Sequence, residues 1–553
     1  MTISEHDHRA EGYAGPHEHL PASDGLRFVA AILVAGGHYI SNYGVGTLSE
    51  ALVSLTGRMN NRSNGPIIAE PEKLPELTGL RFIAAFSVLI AHGISTILGA
   101  REPGPAYWLS QASGFGMTLF FVLSGFVIHF NYATLITTRG FRGIAFYLWA
   151  RLARLYPLFI LTLSINIMLS RSFVELWAGH SERFSRLLGG LPYFLVFVQS
   201  WIYAPIDGVP MIGTIGGGSP LTWSISTEWF FYLAYVLMAF VVLRLSRPTT
   251  ILLAAVGFSF AWIAAASTLY DQTPDVDAWA VVRYGANAAT TTDLQESFVR
   301  WLAYMSPYAR IGEFILGCLV AQLYVRLRDR QVTRLELTFG KTGLAMAIVS
   351  VPVITYAMYS PDVGQNLFRK LNMNFALAPS AAFLIFCAIR YESLIARALR
   401  TRACLALGEA SYSIYLIHYV VLMIVVSSSA AAIAPAAAVT PKSVLELIVV
   451  LMVILLLSLQ TYAYYEAPAR RRLRRLWGPS AAGGRHALAA AVAICPPVLA
   501  ILVLVAREPI LVALESNVGA VSSHIRQTCA AKAASSTAWQ TACAAVAALE
   551  IRR

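Results

Sequence analysis

Two ionisable residues stand where a membrane helix is expected. The stretch LTGLRFIAAFSVLIAHG, residues 77–93, is apolar apart from Arg81 and His92, which are eleven residues apart. In a helix that spacing puts both side chains within about 20° of one face and about 16 Å apart along the axis. Ionisable groups at such depth are costly and usually face a cavity or a partner. A neutral His92 can accept a proton from a hydroxyl, as a general base does; it can equally be a structural residue that hydrogen-bonds across helices.

A basic pair follows in the stretch FYLWARLARLYPLF, residues 146–159. Arg151 and Arg154 are three residues apart and form one ridge on a helix. Guanidinium groups match the geometry of phosphates, so the ridge can bind the phosphates of a nucleotide-bearing donor such as coenzyme A. The same ridge also fits a plain orientation signal at the cytoplasmic end of a span.

A lone carboxylate occurs in SPLTWSISTEWFFYLAYVL, where Glu228 lies four residues after Ser224 on the same helix face. Within a membrane helix a single carboxylate is either protonated or paired, and His92 is one candidate partner. Ser124, in GFGMTLFFVLSGFVIHF, lacks the Gly-x-Ser-x-Gly elbow of a hydrolase nucleophile. We therefore expect Ser124 to be a packing residue.

Two further polar pairs lie near the C-terminal half. Arg310 and Glu313, in SPYARIGEFILGC, are one helical turn apart and favour a structural ion pair. Tyr415 and His418, in LGEASYSIYLIHYVV, share one helix face and are candidate supporting residues. None of the six cysteines shows the paired spacing of a zinc site, so we predict no metal.

The elements that carry these residues are predicted to be membrane-spanning helices. Of the 553 residues 57% are hydrophobic and only 13% charged, which indicates an integral membrane protein. Apolar runs of spanning length without period-two alternation predict an all-α, polytopic transmembrane bundle. The predicted spans are 77–99, 113–133, 148–169, 221–245, 251–269, 299–325, 342–358, 375–390, 405–427, 445–465 and 484–506. A 13-residue apolar piece at 191–203 is too short to span and is predicted to lie at the interface or re-enter.

Loop charges orient these spans. Arginine clusters before the third span and after the sixth place both loops inside, whereas the acidic loop 270–298 falls outside. A ten-span core therefore ends near residue 465, and an eleventh span leads to an external tail containing Cys529 and Cys543, which could form a disulfide. The formal charge of +12 is spread over short loops, so no nucleic-acid partner is expected. The predicted divisions are an N-terminal extension (1–73), the core (74–476) and an added helix with its tail (477–553).

Seven stretches in this order resemble the acyltransferase-3 family of integral membrane O-acyltransferases, from about residue 74 to 476. They are LTGLRFIAAFSVLIAH, GFGMTLFFVLSGFVI, RLARLYP, PLTWSISTEWFFY, RIGEFILG, LGEASYSIYLIH and YYEAPARRR. The resemblance implies transfer of an acyl group, usually acetyl, from cytoplasmic acyl-CoA to a hydroxyl of an exported or cell-surface glycan or glycolipid. It also implies a multi-pass protein of the bacterial inner membrane, with acyl-CoA as donor substrate and no bound cofactor.

The resemblance assigns roles residue by residue. Arg81 and His92 match the family's essential arginine and histidine, Arg151 and Arg154 match its cytoplasmic arginine pair, and Glu228 matches its acidic position after Trp-Ser. His92 would deprotonate the acceptor hydroxyl or carry the acyl group transiently. The arginine pair would hold the donor.

An N-terminal near copy of the first motif, SDGLRFVAAILVAGGHY, repeats the pair as Arg27 and His38. Its apolar run is short and no companion block follows, so we interpret it as a partial duplication. A competing functional class is a transporter or a flippase of a glycan or lipid-linked precursor, which also uses buried Arg, His and Glu. Such proteins often contain inverted repeats, whereas the repeat found here runs in the same sense.

Overall fold

The computed structural model describes residues 74–99, 104–169, 189–206, 209–210, 221–292, 294–428 and 439–475. The regular secondary structure of this part of the chain is helical, including a short helix at 189–195, apart from an antiparallel ladder of two residues per strand, β1 (Pro205–Ile206) and β2 (Val209–Pro210). The helices are α1 (Pro75–Gly93), α2 (Pro105–Ser110), α3 (Ala112–Leu169), α4 (Thr222–Leu243), α5 (Pro248–Asp271), α6 (Thr273–Tyr284), α7 (Phe298–Arg300), α8 (Pro307–Leu327), α9 (Arg334–Tyr359), α10 (Leu367–Lys370), α11 (Ala378–Arg390), α12 (Leu394–Leu399), α13 (Arg402–Glu409), α14 (Ser411–Ser428), α15 (Pro441–Thr461) and α16 (Ala467–Arg475). Three π-helical segments are Ile94–Leu98, Trp301–Met305 and Tyr462–Glu466.

Seven of the described helical stretches are long and apolar enough to cross a membrane, or eight if α13 and α14, which meet at 67°, form one bent span. The 58-residue α3 is interrupted at Gly140, whose φ of 51° and ψ of −135° are accessible mainly to glycine. It therefore has two arms, 112–139 and 141–169, where two spans were predicted. The all-α fold is confirmed. The count of ten spans stays a prediction, and the eleventh, at 484–506, lies outside the described residues.

The apolar piece at 191–203 does not cross as a helix. Residues 189–195 form a short helix that ends in turns, and seven residues of helix cover only about 10 Å. The Gln199 amide donates to the Thr222 carbonyl at 3.0 Å, and the Ser200 hydroxyl donates to Ser226 at 2.8 Å. These bonds fasten the piece to the beginning of α4, in keeping with the prediction that it does not span.

Lipid-facing surfaces identify this as a membrane protein. Large apolar side chains are exposed along α5 and α15, for example Leu253 at 72%, Phe260 at 69% and Leu445 at 62%. Extensive exposed apolar surface on a folded chain marks contact with another apolar phase. The inner helices α3 and α8, by contrast, pack against each other and against α4, and α3 also packs against α1.

The contact between α3 and α8 depends on two glycines that face each other. A Cβ atom on Gly125 would meet the Phe314 carbonyl oxygen at 2.0 Å, and one on Gly317 would meet the Val122 carbonyl oxygen at 2.0 Å. Small residues of this kind allow the backbones of membrane helices to approach closely. The contact fixes the first arm of α3, which lines the cavity described below.

We expect Gly317→Ala to lower the free energy of unfolding by about 1–3 kcal/mol, because the added methyl group forces the two backbones apart. Thermal unfolding in detergent would measure this. Gly257→Ala is the matched control, since a Cβ there meets no atom within 4 Å. Equal unfolding temperatures for the two variants would contradict this account of the α3–α8 contact.

The N-terminal end of α1 is held by α12 and α13. A Cβ on Gly79 would meet the Leu399 carbonyl oxygen at 2.4 Å, and one on Gly408 would meet the Thr78 carbonyl oxygen at 2.0 Å. Arg400 adds ion pairs of 2.6 Å to Glu392 and 3.4 Å to Glu76, and its hydrogen bond lowers the pKa of the Glu392 carboxyl. These contacts fix the depth at which α1 presents its own polar residues.

Candidate active site

A cavity that contains several charged side chains lies inside the bundle, between α1, both arms of α3, α4 and α14. Six residues selected from the sequence line it: Arg81, Arg151, Arg154, Ser224, Glu228 and Tyr415. Apolar side chains such as Met117, Phe120 and Leu155 complete the wall. The structure thus brings together residues that are up to 334 positions apart in the chain.

The arginines of this cavity differ in how they are held. Arg151 donates to the Tyr132 hydroxyl at 2.6 Å and lies 4.7 Å from the centre of that ring. Across the described residues, no hydrogen bond or ion pair engages Arg81, Arg154 or Arg470 of α16. Arg81 interacts electrostatically with the other two and with the two carboxylates described next. Arginines are rarely left unpaired inside a membrane bundle, so the cavity has free capacity for an anion.

Glu228 is held by neighbours other than the one expected. Its carboxylate accepts hydrogen bonds from the Tyr232 hydroxyl, through a short contact, and from the Ser124 hydroxyl at 3.3 Å. The candidate partner His92 is engaged elsewhere, so that pairing is wrong. Ser124 also lines the cavity, and its interpretation as a packing residue is corrected to that of a cavity residue bound to Glu228.

A second buried carboxylate, Glu466, was quoted in a motif but not selected as a site residue. It is 2% exposed and ends the π-helical segment Tyr462–Glu466, a kind of distortion often found at functional sites. One carboxylate oxygen accepts from Ser413 at 2.6 Å, and the other is buried without a hydrogen-bond partner among the described residues. It interacts electrostatically with Arg81, Arg154 and Arg470. The feature of the sequence that points to this residue is its spacing, because Glu466 lies four residues before Arg470.

The charges in and beside the cavity favour an anionic ligand. The cations are Arg81, Arg151, Arg154 and Arg470, and the carboxylates are Glu228 and Glu466. With all six groups ionised, the set has a formal excess of two positive charges. Such an excess in low-dielectric surroundings attracts a polyanion strongly.

His92 lies outside the cavity lining and pairs with His418 of α14. The Nδ1 atom of His92 is 3.0 Å from Nε2 of His418, and the two rings stack with centres 5.3 Å apart. His418 is fully buried, whereas His92 is half-buried. Tyr415 connects this pair to the cavity, because its ring centre is 5.9 Å from that of His418 and its hydroxyl is 2.7 Å from that of Ser224.

Arg310 and Glu313 form a buried ion pair of 3.0 Å that belongs to the packing of α8. Thr118 donates to the Glu313 carboxylate at 2.8 Å, and Arg310 donates to the Met373 carbonyl at 3.0 Å. The Arg310 guanidinium also lies 5.0 Å from the centre of the Phe121 ring. Neither charged residue lines the cavity, which agrees with the structural role expected for them.

Fold and site together define an all-α membrane protein with a cavity inside the bundle that is lined in part by arginines, and with an adjacent histidine pair. A family model described as "Acyltransferase domain" matches residues 74–463. The chain therefore belongs to the acyltransferase-3 family, as the sequence motifs predicted, and is an acyltransferase by family.

Two curated relatives span most of this region. "Acyltransferase MdmB" of Streptomyces mycarofaciens is 26% identical over 354 residues, covering 63% of this chain and 79% of that protein. "Putative peptidoglycan O-acetyltransferase YrhL" of Bacillus subtilis (strain 168) is 24% identical over 359 residues, covering 63% of this chain and 48% of that protein. The match therefore includes most of the first relative and about half of the second. No solved structure matches the chain.

Proposed function

We propose that this chain is a multi-pass O-acyltransferase of the bacterial inner membrane. It transfers an acyl group, most simply acetyl, from acyl-CoA to a hydroxyl group of an exported or cell-surface glycan or glycolipid. The observation that carries this proposal is that Arg81 and Arg154, in a cavity next to a histidine pair, form no hydrogen bond or ion pair with any residue that the structure describes. In an acyltransferase that combination would supply a binding site for an anionic donor and a base for the acceptor.

The charges in and beside the cavity favour coenzyme A as the donor. Coenzyme A carries a diphosphate and a further phosphate monoester, and arginine is the side chain best suited to bind such groups in pairs. Arg154 and Arg470 form no hydrogen bond or ion pair within the described part of the chain, and their charge is only partly balanced by Glu466. Phosphate oxygens would satisfy their hydrogen-bonding groups and neutralise the excess charge. A neutral sugar could accept hydrogen bonds from the arginines but would not neutralise their charge, and a metal cation would do neither.

The reaction is proposed to use His92. Its imidazole takes the proton of the acceptor hydroxyl while that oxygen bonds to the thioester carbonyl carbon. The tetrahedral intermediate then collapses, the carbon–sulfur bond breaks, and the thiolate of coenzyme A takes the proton back from the imidazolium. Glu228, which sits in the cavity with Tyr232 and Ser124, is proposed to position groups at the donor end instead of acting beside His92. The same position of His92 would also suit the alternative in which its imidazole attacks the thioester carbonyl carbon, releases the thiolate of coenzyme A and then passes the acyl group to the acceptor hydroxyl.

The name of the second relative supports a hydroxyl acceptor. One is named an acyltransferase and the other a peptidoglycan O-acetyltransferase. A glycan is the acceptor class we propose for this chain because of the second name. The first name is compatible with a small-molecule acceptor.

The test is transfer from radiolabelled acetyl-CoA by the purified full-length protein in detergent, with peptidoglycan fragments, other cell-envelope glycans and small polyols as acceptors. We expect acceptor-dependent release of free coenzyme A and label in one acceptor class. Absence of both donor binding and turnover would overturn the proposal. Uptake or flipping of a glycan lipid in proteoliposomes, independent of acetyl-CoA, would favour transport instead.

A further inference from the structure

The hydrogen bonds of the histidine pair fix where its protons lie. The Nδ1 atom of His418 is 3.0 Å from the Ile414 carbonyl oxygen, one turn earlier in α14. A carbonyl oxygen only accepts hydrogen bonds, so Nδ1 of a neutral His418 carries the proton and its Nε2 has a lone pair. That lone pair faces Nδ1 of His92 at 3.0 Å. Nδ1 of His92 must therefore be the donor, which leaves Nε2 of His92 as the unprotonated nitrogen.

We propose that His418 is a positioning residue, which selects the tautomer of His92 in which Nε2 is free to take the acceptor's proton. This inference rests on the proposed function and adds to it the identity of the reacting atom. The relay runs from the Ile414 carbonyl through both rings to Nε2 of His92. It works as the third group of a catalytic triad does, because it orients a base and fixes its tautomer without contacting substrate.

The surroundings of the two rings support different roles for them. His418 has both ring nitrogens engaged and is fully buried, so it is not available to substrate. His92 has one nitrogen engaged, and no other hydrogen bond to it is formed within the described residues. It is also half-buried. The partly accessible ring is thus the one with a free lone pair.

Another buried histidine shows what a purely structural arrangement looks like in this bundle. His129 has Nε2 3.1 Å from the Gln322 amide oxygen and Nδ1 3.0 Å from the Tyr235 hydroxyl. Both nitrogens are occupied by side chains that are themselves buried. His129 therefore has no lone pair left for chemistry, in contrast to His92.

The test compares His418→Gln with His418→Leu in acetyl-CoA-dependent transfer by the full chain. The glutamine amide oxygen can accept from Nδ1 of His92, whereas leucine fills similar space without an acceptor. We expect His418→Leu to lower kcat by about tenfold or more, with the KM for acetyl-CoA within about twofold of wild type. His418→Gln should recover most of the lost rate. His129→Gln is the matched control for replacing a buried histidine and should retain wild-type kcat.

A second measurement reads the tautomer directly. In protein with ¹⁵N-labelled histidine, reconstituted in lipid, the ring signals that are absent in His92→Ala but still present in His418→Gln belong to His92. We expect these signals to show Nδ1 protonated and Nε2 unprotonated in wild type and in His418→Gln. His418→Leu should show a mixture of both tautomers.

The outcomes separate this inference from the proposed function. An active wild type with His418→Leu at full kcat would overturn the positioning role and leave the transferase intact. The same holds if His418→Leu and His418→Gln lose activity equally while the His92 tautomer is unchanged in both. A wild type without turnover or donor binding would instead refute the transferase itself.

Discussion

Replacement of His92 with alanine should lower acyl transfer by about 10²- to 10⁴-fold, the usual contribution of a positioned general base. Binding of acetyl-CoA should stay close to wild type, because His92 does not line the arginine cavity. Steady-state transfer rates and equilibrium binding of the labelled donor, measured on the same detergent preparation, would check both halves of this expectation.

His129→Ala is the control for loss of a buried imidazole, and its effect should be limited to stability. Unchanged turnover in His92→Ala, with a folded protein, would show that the assignment of the base is wrong. Acid quenching during a single turnover adds a further distinction. Label that stays on wild-type protein but not on His92→Ala would show that His92 carries the acyl group covalently.

Donor binding should depend on which side of α16 an arginine occupies. Arg470 is half-buried and interacts electrostatically with Arg81, whereas the adjacent Arg471 is exposed. We expect Arg154→Ala and Arg470→Ala each to weaken acetyl-CoA binding by about 10- to 100-fold, since a hydrogen bond to a charged group contributes about 1.5–3 kcal/mol. Arg471→Ala should bind the donor nearly as wild type does.

Isothermal titration with coenzyme A and with dephospho-coenzyme A would show which phosphates these arginines contact. Affinity that is equal for Arg470→Ala and Arg471→Ala would contradict the proposed donor site. Affinity that does not fall with rising salt would contradict it as well, because partly exposed ion pairs are screened.

Much of the fold followed from composition alone. Apolar runs of spanning length can hardly avoid forming helices in a bilayer, and the two arms of α3 coincide with separate predicted runs. Part of the cavity can also be predicted from the sequence, because four of its residues are charges in apolar surroundings: Arg81, Arg151, Arg154 and Glu228. Charges in apolar surroundings usually face a cavity or a partner, and these four line the same cavity.

The partners of these polar residues could not be predicted from their spacing in the sequence. His92 and His418 are 326 residues apart and meet only because α1 and α14 pack together. Glu228 was paired with His92 on the ground of charge alone, but the fold places it beside Tyr232 and Ser124. The sequence does not single out Glu466, because a carboxylate at the predicted end of a span is normally a surface residue. In the fold it is buried at the end of a π-helical turn and accepts a hydrogen bond from Ser413 on a neighbouring helix.

The distance between Arg81 and His92 along α1 also sets the length of donor that can react. About 16 Å of helix lies between the end of α1 that faces the arginines and the turn that presents the imidazole. A donor gripped by its phosphates must be long and flexible enough to bring its carbonyl across that interval, as the pantetheine arm of coenzyme A is. A short thioester without phosphates would reach His92 but would not be bound by the arginines. A phosphorylated donor with a shortened pantetheine arm would be bound by the arginines, but its carbonyl would not reach His92. Selectivity for the donor thus depends on reach as much as on charge.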